Sequence, residues 1–128
     1  IWCSISPDNC LKPIEGTVVY ILEVPEDKVM YFDDVKWDYV LNRIYLPDDE
    51  EDEKAYKQHL KDIGVSNGFE FFQGRYKGMY PEEEARIRES WKRAFRIDKW
   101  TIFNVCGNIW EIRQEWVKRI VKPGEAVK

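Results

Sequence analysis

The fold of this chain is indicated most clearly by residues 17–32, TVVYILEVPEDKVMYF. Residues 17–24 are apolar at nearly every position, which is typical of a strand covered on both faces. Residues 25–27, Pro-Glu-Asp, favour a turn, and residues 28–32 form a second apolar run. We therefore expect two strands joined by a short turn at the centre of the fold.

Three helices are predicted outside these two strands. Asp33 or Asp34 can cap the first, which runs to about Ile44 with Trp37, Val40 and Leu41 in its apolar stripe. The second follows the acidic run 48–53, where Asp48 and Glu51 have the spacing of a capping box, and ends at Ile63 before Gly64. We interpret this acidic run as a solvated helix start. The third begins at Pro81 and runs to about Phe95.

The remaining segments predict further strands. Residues 69–72 and 75–79 are expected to form two short strands joined at 73–74, and residues 116–121 a final strand. Residues 100–105 and 109–113 are expected to be strands interrupted by a break or bulge at 106–108. The order lacks regular βαβ alternation, so we predict an α+β fold, a small single domain over residues 1–128 with a mixed or antiparallel sheet packed by about three helices. Residues 122–128 are expected to fray.

Composition excludes several classes of protein. The 128 residues are 44% hydrophobic and 15% aromatic, so a disordered chain is excluded. The net charge of −4 argues against a general nucleic-acid coat, and no apolar stretch approaches the roughly 18 residues of a membrane span. The chain begins at Ile1 without Met or a secretory signal. We expect a cytoplasmic protein without a membrane partner, and a segment that once preceded Ile1.

The cysteines and the single histidine give weak signals for chemistry. Cys3, Cys10 and Cys106 are expected to be free thiols, although Cys3 and Cys10 could close a ring, and His59 could complete a zinc set. The spacing lacks the tight cysteine pairs of structural zinc sites, so we predict no metal. His59 lies in a polar helix and is expected at the surface without a catalytic partner.

Standard catalytic motifs are missing from the sequence. There is no phosphate-binding glycine loop, nucleophile elbow or metal-binding histidine pair. Glu23 and Glu111 are carboxylates within apolar runs that predict strands. Such carboxylates are either exposed or buried with a raised pKa, and exposure is the commoner case.

A set of residues in one order resembles a known family. The pieces are ILEVPEDKVMYFDD, WDYVLN followed by YLP, ESWKRAF and IWEIRQEWVKRI, over about residues 17–122. This set is similar to the bacterial and phage family called domain of unknown function 3841. Its members often have His where this chain has Asp38, so no role for that His is carried over. The resemblance implies an intracellular protein, often of phage or mobile-element origin, and implies no established reaction.

The function that we expect is non-catalytic binding of a host protein, as by a phage accessory factor. Exposed aromatic residues and the missing catalytic set favour it. Trp37, Asn42, Tyr45 and Glu111 are the predicted binding residues, provided that they line one cleft. No cofactor is predicted, and the oligomeric state is left open.

Two alternatives belong to other classes. One alternative is an enzyme resembling ADP-ribosyltransferases. In it, Glu111 would be the catalytic residue and would hold a ribose hydroxyl of NAD. The strand that binds the nicotinamide would have to lie before Ile1. In an RNA-binding or single-stranded nucleic-acid-binding protein, Arg75, Lys77 and the arginines of residues 86–96 would contact the ligand. Glu–Arg pairs at i,i+4 spacing, such as Glu82 with Arg86, account for most of that charge without a ligand, so nucleic acid is the less favoured partner.

Overall fold

The computed structural model describes all 128 residues. The chain comprises two compact units, unit 1 (residues 1–32 and 97–128) and unit 2 (residues 33–96). Five strands lie in unit 1, apart from the last residue of one of them, and four α-helices lie in unit 2. Strands and helices are therefore segregated along the chain, and the predicted α+β class is confirmed.

Unit 1 contains two small sheets. One has three strands in the order β1-β4-β3, and β1 is antiparallel to β4 with Cys3 opposite Gly107. The other has two antiparallel strands, β2 and β5. The strands are β1 (Trp2–Ser4), β2 (Val19–Leu22), β3 (Val29–Asp33), β4 (Val105–Ile109) and β5 (Val117–Val121).

The predicted break at residues 106–108 is wrong, because these residues lie in the middle of β4. Strand β4 lies between β1 and β3, and Gly107 leaves room for the side chain of Val29 on β3. A Cβ atom at Gly107 would lie 3.1 Å from Cγ2 of Val29. The runs 100–104 and 110–113, which we predicted as strands, are turns and irregular backbone.

Strand β2 is shorter and less covered than predicted. It spans Val19–Leu22, and the side chain of Tyr20 is 49% exposed. The turn after it is confirmed as a 3₁₀ turn at Glu26–Lys28, which leads directly into β3. The apolar pattern of β2 therefore marks a surface that stays partly open in unit 1.

Unit 2 is built from four helices around one core. The helices are α1 (Asp34–Leu41), α2 (Glu50–Asp62), α3 (Glu70–Gln73) and α4 (Pro81–Ser90), and a 3₁₀ turn at Trp91–Phe95 continues α4. Three of them, with eight or more residues each, are the three that we predicted. The core cluster consists of Tyr45, Tyr56, Leu60, Val65, Phe71 and Ile87.

The helix starts are close to those predicted. Asp33 caps α1 by accepting the backbone N–H of Lys36, and Pro81 is the first residue of α4. Helix α2 is capped by Asp49, which accepts the N–H of Asp52, so the predicted box of Asp48 and Glu51 is wrong by one residue. Helix α1 ends at Leu41, earlier than expected, and Leu41 is exposed.

The two strands predicted between residues 69 and 79 do not form. Residues 70–73 are helix α3, and turns follow it. The backbone N–H of Gly74 bonds to the carbonyl of Glu70 at 3.1 Å, which closes the helical turn. The last residues of the chain, which we expected to fray, also make contacts: Arg119 donates to the carbonyls of Ala126 and Val127.

Candidate functional site

Unit 1 contains a cavity of about 540 Å³. Strand β1 lines it with Trp2, Cys3 and Ser4, and β2 lines it with all four of its residues. Both strands lie at the end of a sheet, so each has one neighbouring strand and one free edge. We call this opening the strand cavity.

The strand cavity is mainly aliphatic and aromatic. Its volume falls in the range of about 300–1,000 Å³ that is typical of ligand sites. Tyr20 is the half-exposed residue of β2 on its wall, and Ile120, directly opposite Tyr20 on β5, does not line it. The other apolar lining residues include Ile5, Val24, Val29, Ile109 and Ile112.

The cysteines form no disulfide, and two of them lie in the wall of the strand cavity. These are Cys3 and Cys10, whereas Cys106 lies on β4. Burial raises the pKa of the Cys3 thiol above its ordinary value, which lowers the thiolate fraction at neutral pH. The Cys3 side chain therefore acts as part of an apolar wall.

The two carboxylates singled out in the sequence are exposed. Glu23 follows β2 and forms an ion pair with Lys118 at 3.0 Å. Glu111 follows β4, outside any strand, and its Oε1 accepts from Nε of Arg113 at 2.6 Å. The prediction that Glu111 lies within a strand is wrong, because β4 ends two residues earlier, at Ile109.

The other three predicted site residues lie in unit 2 and have different surroundings. Trp37 is half-buried and contacts the Phe95 ring edge to face at 6.1 Å. Tyr45 is a core residue that stacks on Tyr56, with ring centroids 4.0 Å apart. Asn42 is exposed at the end of α1, where it lines a second cavity. These three residues do not line one cleft, and Glu111 belongs to unit 1.

The second cavity, of about 500 Å³, is polar. Four of its seven lining residues carry amide or guanidinium groups: Asn42, Arg43, Asn67 and Gln73. The other three are the apolar residues Leu41, Ile44 and Phe69. We call it the amide cavity, and sequence reasoning found one of its polar residues, Asn42.

Helices α1 and α2 end in the same hydrogen-bonding motif. After α2, Gly64 donates to the carbonyl of Lys61 and Val65 donates to that of Leu60. After α1, Arg43 donates to the carbonyl of Val40 and Ile44 donates to that of Tyr39. Both are Schellman motifs, in which the residue after the cap takes a positive φ and is usually glycine.

Arg43 therefore occupies a position that suits glycine. Its φ is 56°, against 75° for Gly64, and no other residue except glycine has a positive φ. A Cβ atom in this region costs about 1–2 kcal/mol. The guanidinium Nη1 donates to Oε1 of Gln73 at 2.9 Å, across the amide cavity.

These two positions predict stability changes of opposite sign. Arg43→Gly is expected to raise the free energy of unfolding by about 0.5–1 kcal/mol, since the relief of strain exceeds the entropy that glycine adds to the unfolded chain. Gly64→Arg is expected to lower it by a similar amount, because open space surrounds Gly64 and backbone strain alone decides. Urea denaturation of the two variants measures both values. Changes of the same sign would contradict the shared motif.

The single histidine has a partner that the sequence did not reveal. Nε2 of His59 lies 2.6 Å from Oε1 of Glu83, so the residue that we expected at the surface is partly buried against a carboxylate. Next to this pair, Oε2 of Glu83 and the hydroxyl of Tyr56 are buried without a hydrogen-bond partner. Burial and the charge of Glu83 raise the pKa of Tyr56 to about 12. This cluster is an internal feature of unit 2 and lines neither of the two cavities described above.

No group of three or more His, Cys, Asp or Glu side chains is arranged to hold a metal ion. None of the helices has both the length and the apolar character needed to cross a membrane.

Comparison with known proteins identifies the family. The sequence model of the family described as Domain of unknown function (DUF3841) matches residues 1–118. No curated protein and no solved structure matches the chain. The match includes every lining residue of the amide cavity and every lining residue of the strand cavity except Val127, and it begins well before residue 17, where the resemblance noted in the sequence starts. Since it covers most of the chain, this protein belongs to the DUF3841 family.

Proposed function

We propose that this protein is a non-catalytic interaction module that binds an extended segment of a partner protein along the strand cavity. The observation that carries this proposal is the apolar strand β2, which ends its sheet beside that cavity. An extended peptide can pair with a free strand edge through its backbone and place alternate side chains in an apolar pocket. The proposed partner segment therefore has apolar residues at every second position.

The positions of the tryptophans support an interaction role. Of the six tryptophans, only Trp116 is buried, whereas Trp2, Trp100 and Trp110 are exposed, the last at 97%. Packing accounts for Trp116 and in part for Trp37 and Trp91, but not for these three exposed residues, and tryptophan is enriched among the residues that anchor protein interfaces. Trp2 also lines the strand cavity.

The resemblance noted in the sequence adds a partner, an origin and a cellular compartment to this proposal. The partner would be a host protein, the chain would derive from a phage or mobile element, and the two would meet in the cytoplasm. The NAD-dependent enzyme and the nucleic-acid-binding protein stay predictions. Glu111 is exposed and paired with Arg113. Arg86, Arg88 and Arg93 lie over aromatic rings of unit 2. Unit 2 has fifteen acidic and twelve basic side chains, so its net charge is negative.

A pair of matched variants tests the strand cavity. Fluorescent hexapeptides with alternating apolar residues are expected to bind saturably, and peptides of the same composition in two blocks are not. Tyr20→Lys should weaken binding at least about tenfold, because it places a charge on the cavity wall. Ile120→Lys should change it less than about twofold. Ile120 faces Tyr20 in the sheet and is 45% exposed, but it does not line the cavity.

The anisotropy of the labelled peptide measures both affinities. Equal weakening by the two lysine variants would contradict the proposal, because it would place binding on the general surface of the sheet. Equal binding of the alternating and block peptides would contradict it as well, since a strand edge requires the alternation.

A further inference from the structure

We infer that the amide cavity of unit 2 binds a carboxylate with an apolar body, and that Arg43 holds the carboxylate. This site is separate from the strand cavity and draws on different observations. The first is the presence of arginine where the same unit uses glycine for the same motif. Arginine at position 43 makes unit 2 less stable than glycine would. Such a loss of stability is expected where a side chain is retained for binding.

The second observation is the chemistry of the cavity wall. Its seven lining residues include hydrogen-bond donors and one positive charge, and none is Asp or Glu. This is notable in a unit where acidic side chains outnumber basic ones. An anion can therefore enter without meeting a carboxylate of the cavity wall.

The third observation is that several donors at this site are unused. Oε1 of Gln73 accepts from Arg43 and Oδ1 of Asn67 accepts from the N–H of Phe69. The amide nitrogens of both side chains, and Nε and Nη2 of Arg43, make no hydrogen bond to protein, and all three residues are exposed, so these donors are open to a ligand from solution. A guanidinium with free N–H groups suits the two oxygens of a carboxylate.

The charge and the apolar wall of the cavity both favour a carboxylate with an apolar body as the ligand. One guanidinium in a net acidic unit balances a single negative charge, so a carboxylate fits better than doubly charged phosphate. Leu41, Ile44 and Phe69 supply an apolar side for the body of the ligand. The carboxylate has two possible sources, a small organic acid or the carboxyl terminus of a protein.

Benzoate and benzamide are matched probes, since they differ in charge at one planar group. With ¹⁵N-labelled protein, benzoate is expected to shift the amide signals of residues 41–44 and 67–73 saturably. Benzamide should bind at least tenfold more weakly. Arg43→Gly and Arg43→Gln should each weaken the binding of benzoate at least tenfold. The glycine variant removes the backbone strain and the glutamine variant keeps it, so a loss in both comes from the guanidinium.

Additional probes distinguish the sources of the carboxylate. A tripeptide ending in phenylalanine, with a free carboxylate or amidated, is compared with benzoate. At least tenfold tighter binding of the free peptide supports a protein carboxyl terminus, and binding no tighter than benzoate supports a small acid. Equal binding of benzoate and benzamide would overturn the inference, as would unchanged benzoate affinity in both Arg43 variants. Tighter binding of inorganic phosphate than of benzoate would also overturn it.

Discussion

Replacing Phe71 with alanine is expected to lower the free energy of unfolding by about 3–5 kcal/mol. Phe71 lies in α3, is 0% exposed, and contacts the ring of Tyr80 edge to face at 5.3 Å. Its removal leaves a cavity in the core of unit 2 that the surrounding helices fill only in part. Urea denaturation monitored by circular dichroism measures the change.

Phe69→Ala is the matched control, because Phe69 is half-buried and lines the amide cavity. We expect it to cost about 1–2 kcal/mol. If residues 69–72 formed a strand, Phe69 and Phe71 would share one face, and their replacement by alanine would lower the free energy of unfolding by similar amounts. Equal losses for the two variants would therefore contradict the helix.

This segment shows why part of the fold could not be predicted from the sequence. Two adjacent phenylalanines and flanking glycines are typical of short strands. The helical turn forms because Phe71 fills the core beside Ile87, and because Gly74 lets the chain pass close to Glu70. A Cβ atom at Gly74 would lie 2.7 Å from Cα of Glu70. The packing of Phe71 with Ile87 is a tertiary contact, which leaves no periodic pattern in the sequence.

Helix ends were predicted better because their signals are local. The cap at Asp33, the proline that begins α4 at Pro81 and the stop at Gly64 depend on residues within one turn. Strand β4 was missed for the opposite reason. A Cβ atom at its central glycine would crowd the side chain of Val29 on the neighbouring strand, a tertiary contact that local sequence does not show.

The candidate sites were predicted less well than the fold. Asn42 was found, but the neighbouring Arg43 was not, although an arginine directly after a helix, where glycine is usual, is a signal present in the sequence. Tyr45 was expected in a binding cleft and lies in the core. The strand cavity was missed because the apolar pattern of β2 was interpreted as full burial, whereas half of Tyr20 is exposed.

The stacked tyrosines of unit 2 predict stability changes of opposite sign when each hydroxyl is removed. The Tyr45 hydroxyl donates to Oδ2 of Asp52 at 2.8 Å, a hydrogen bond to a charged group. Tyr45→Phe should therefore lower the free energy of unfolding by about 1.5–3 kcal/mol. The Tyr56 hydroxyl is buried without a partner, so Tyr56→Phe should raise it by about 1 kcal/mol. Each variant is the control for the other, since both keep the ring stack.

The pH dependence of the same pair separates hydrogen bonding from packing. Burial raises the pKa of Asp52, but hydrogen bonds from the Asp48 backbone and the Tyr45 hydroxyl, with the charge of Arg93, outweigh it and hold the pKa below the ordinary value of 3.8. Its contribution to stability is thus present above the unfolded pKa and is lost as the pH falls through the folded pKa. Tyr45→Phe removes one of these stabilising contacts, so its deficit relative to wild type should shrink on acidification from pH 7 to below about 3. Tyr56→Phe should keep its advantage across this range, since its hydroxyl does not titrate there. A Tyr45→Phe deficit that is constant with pH would show that the loss comes from packing and not from the bond to Asp52.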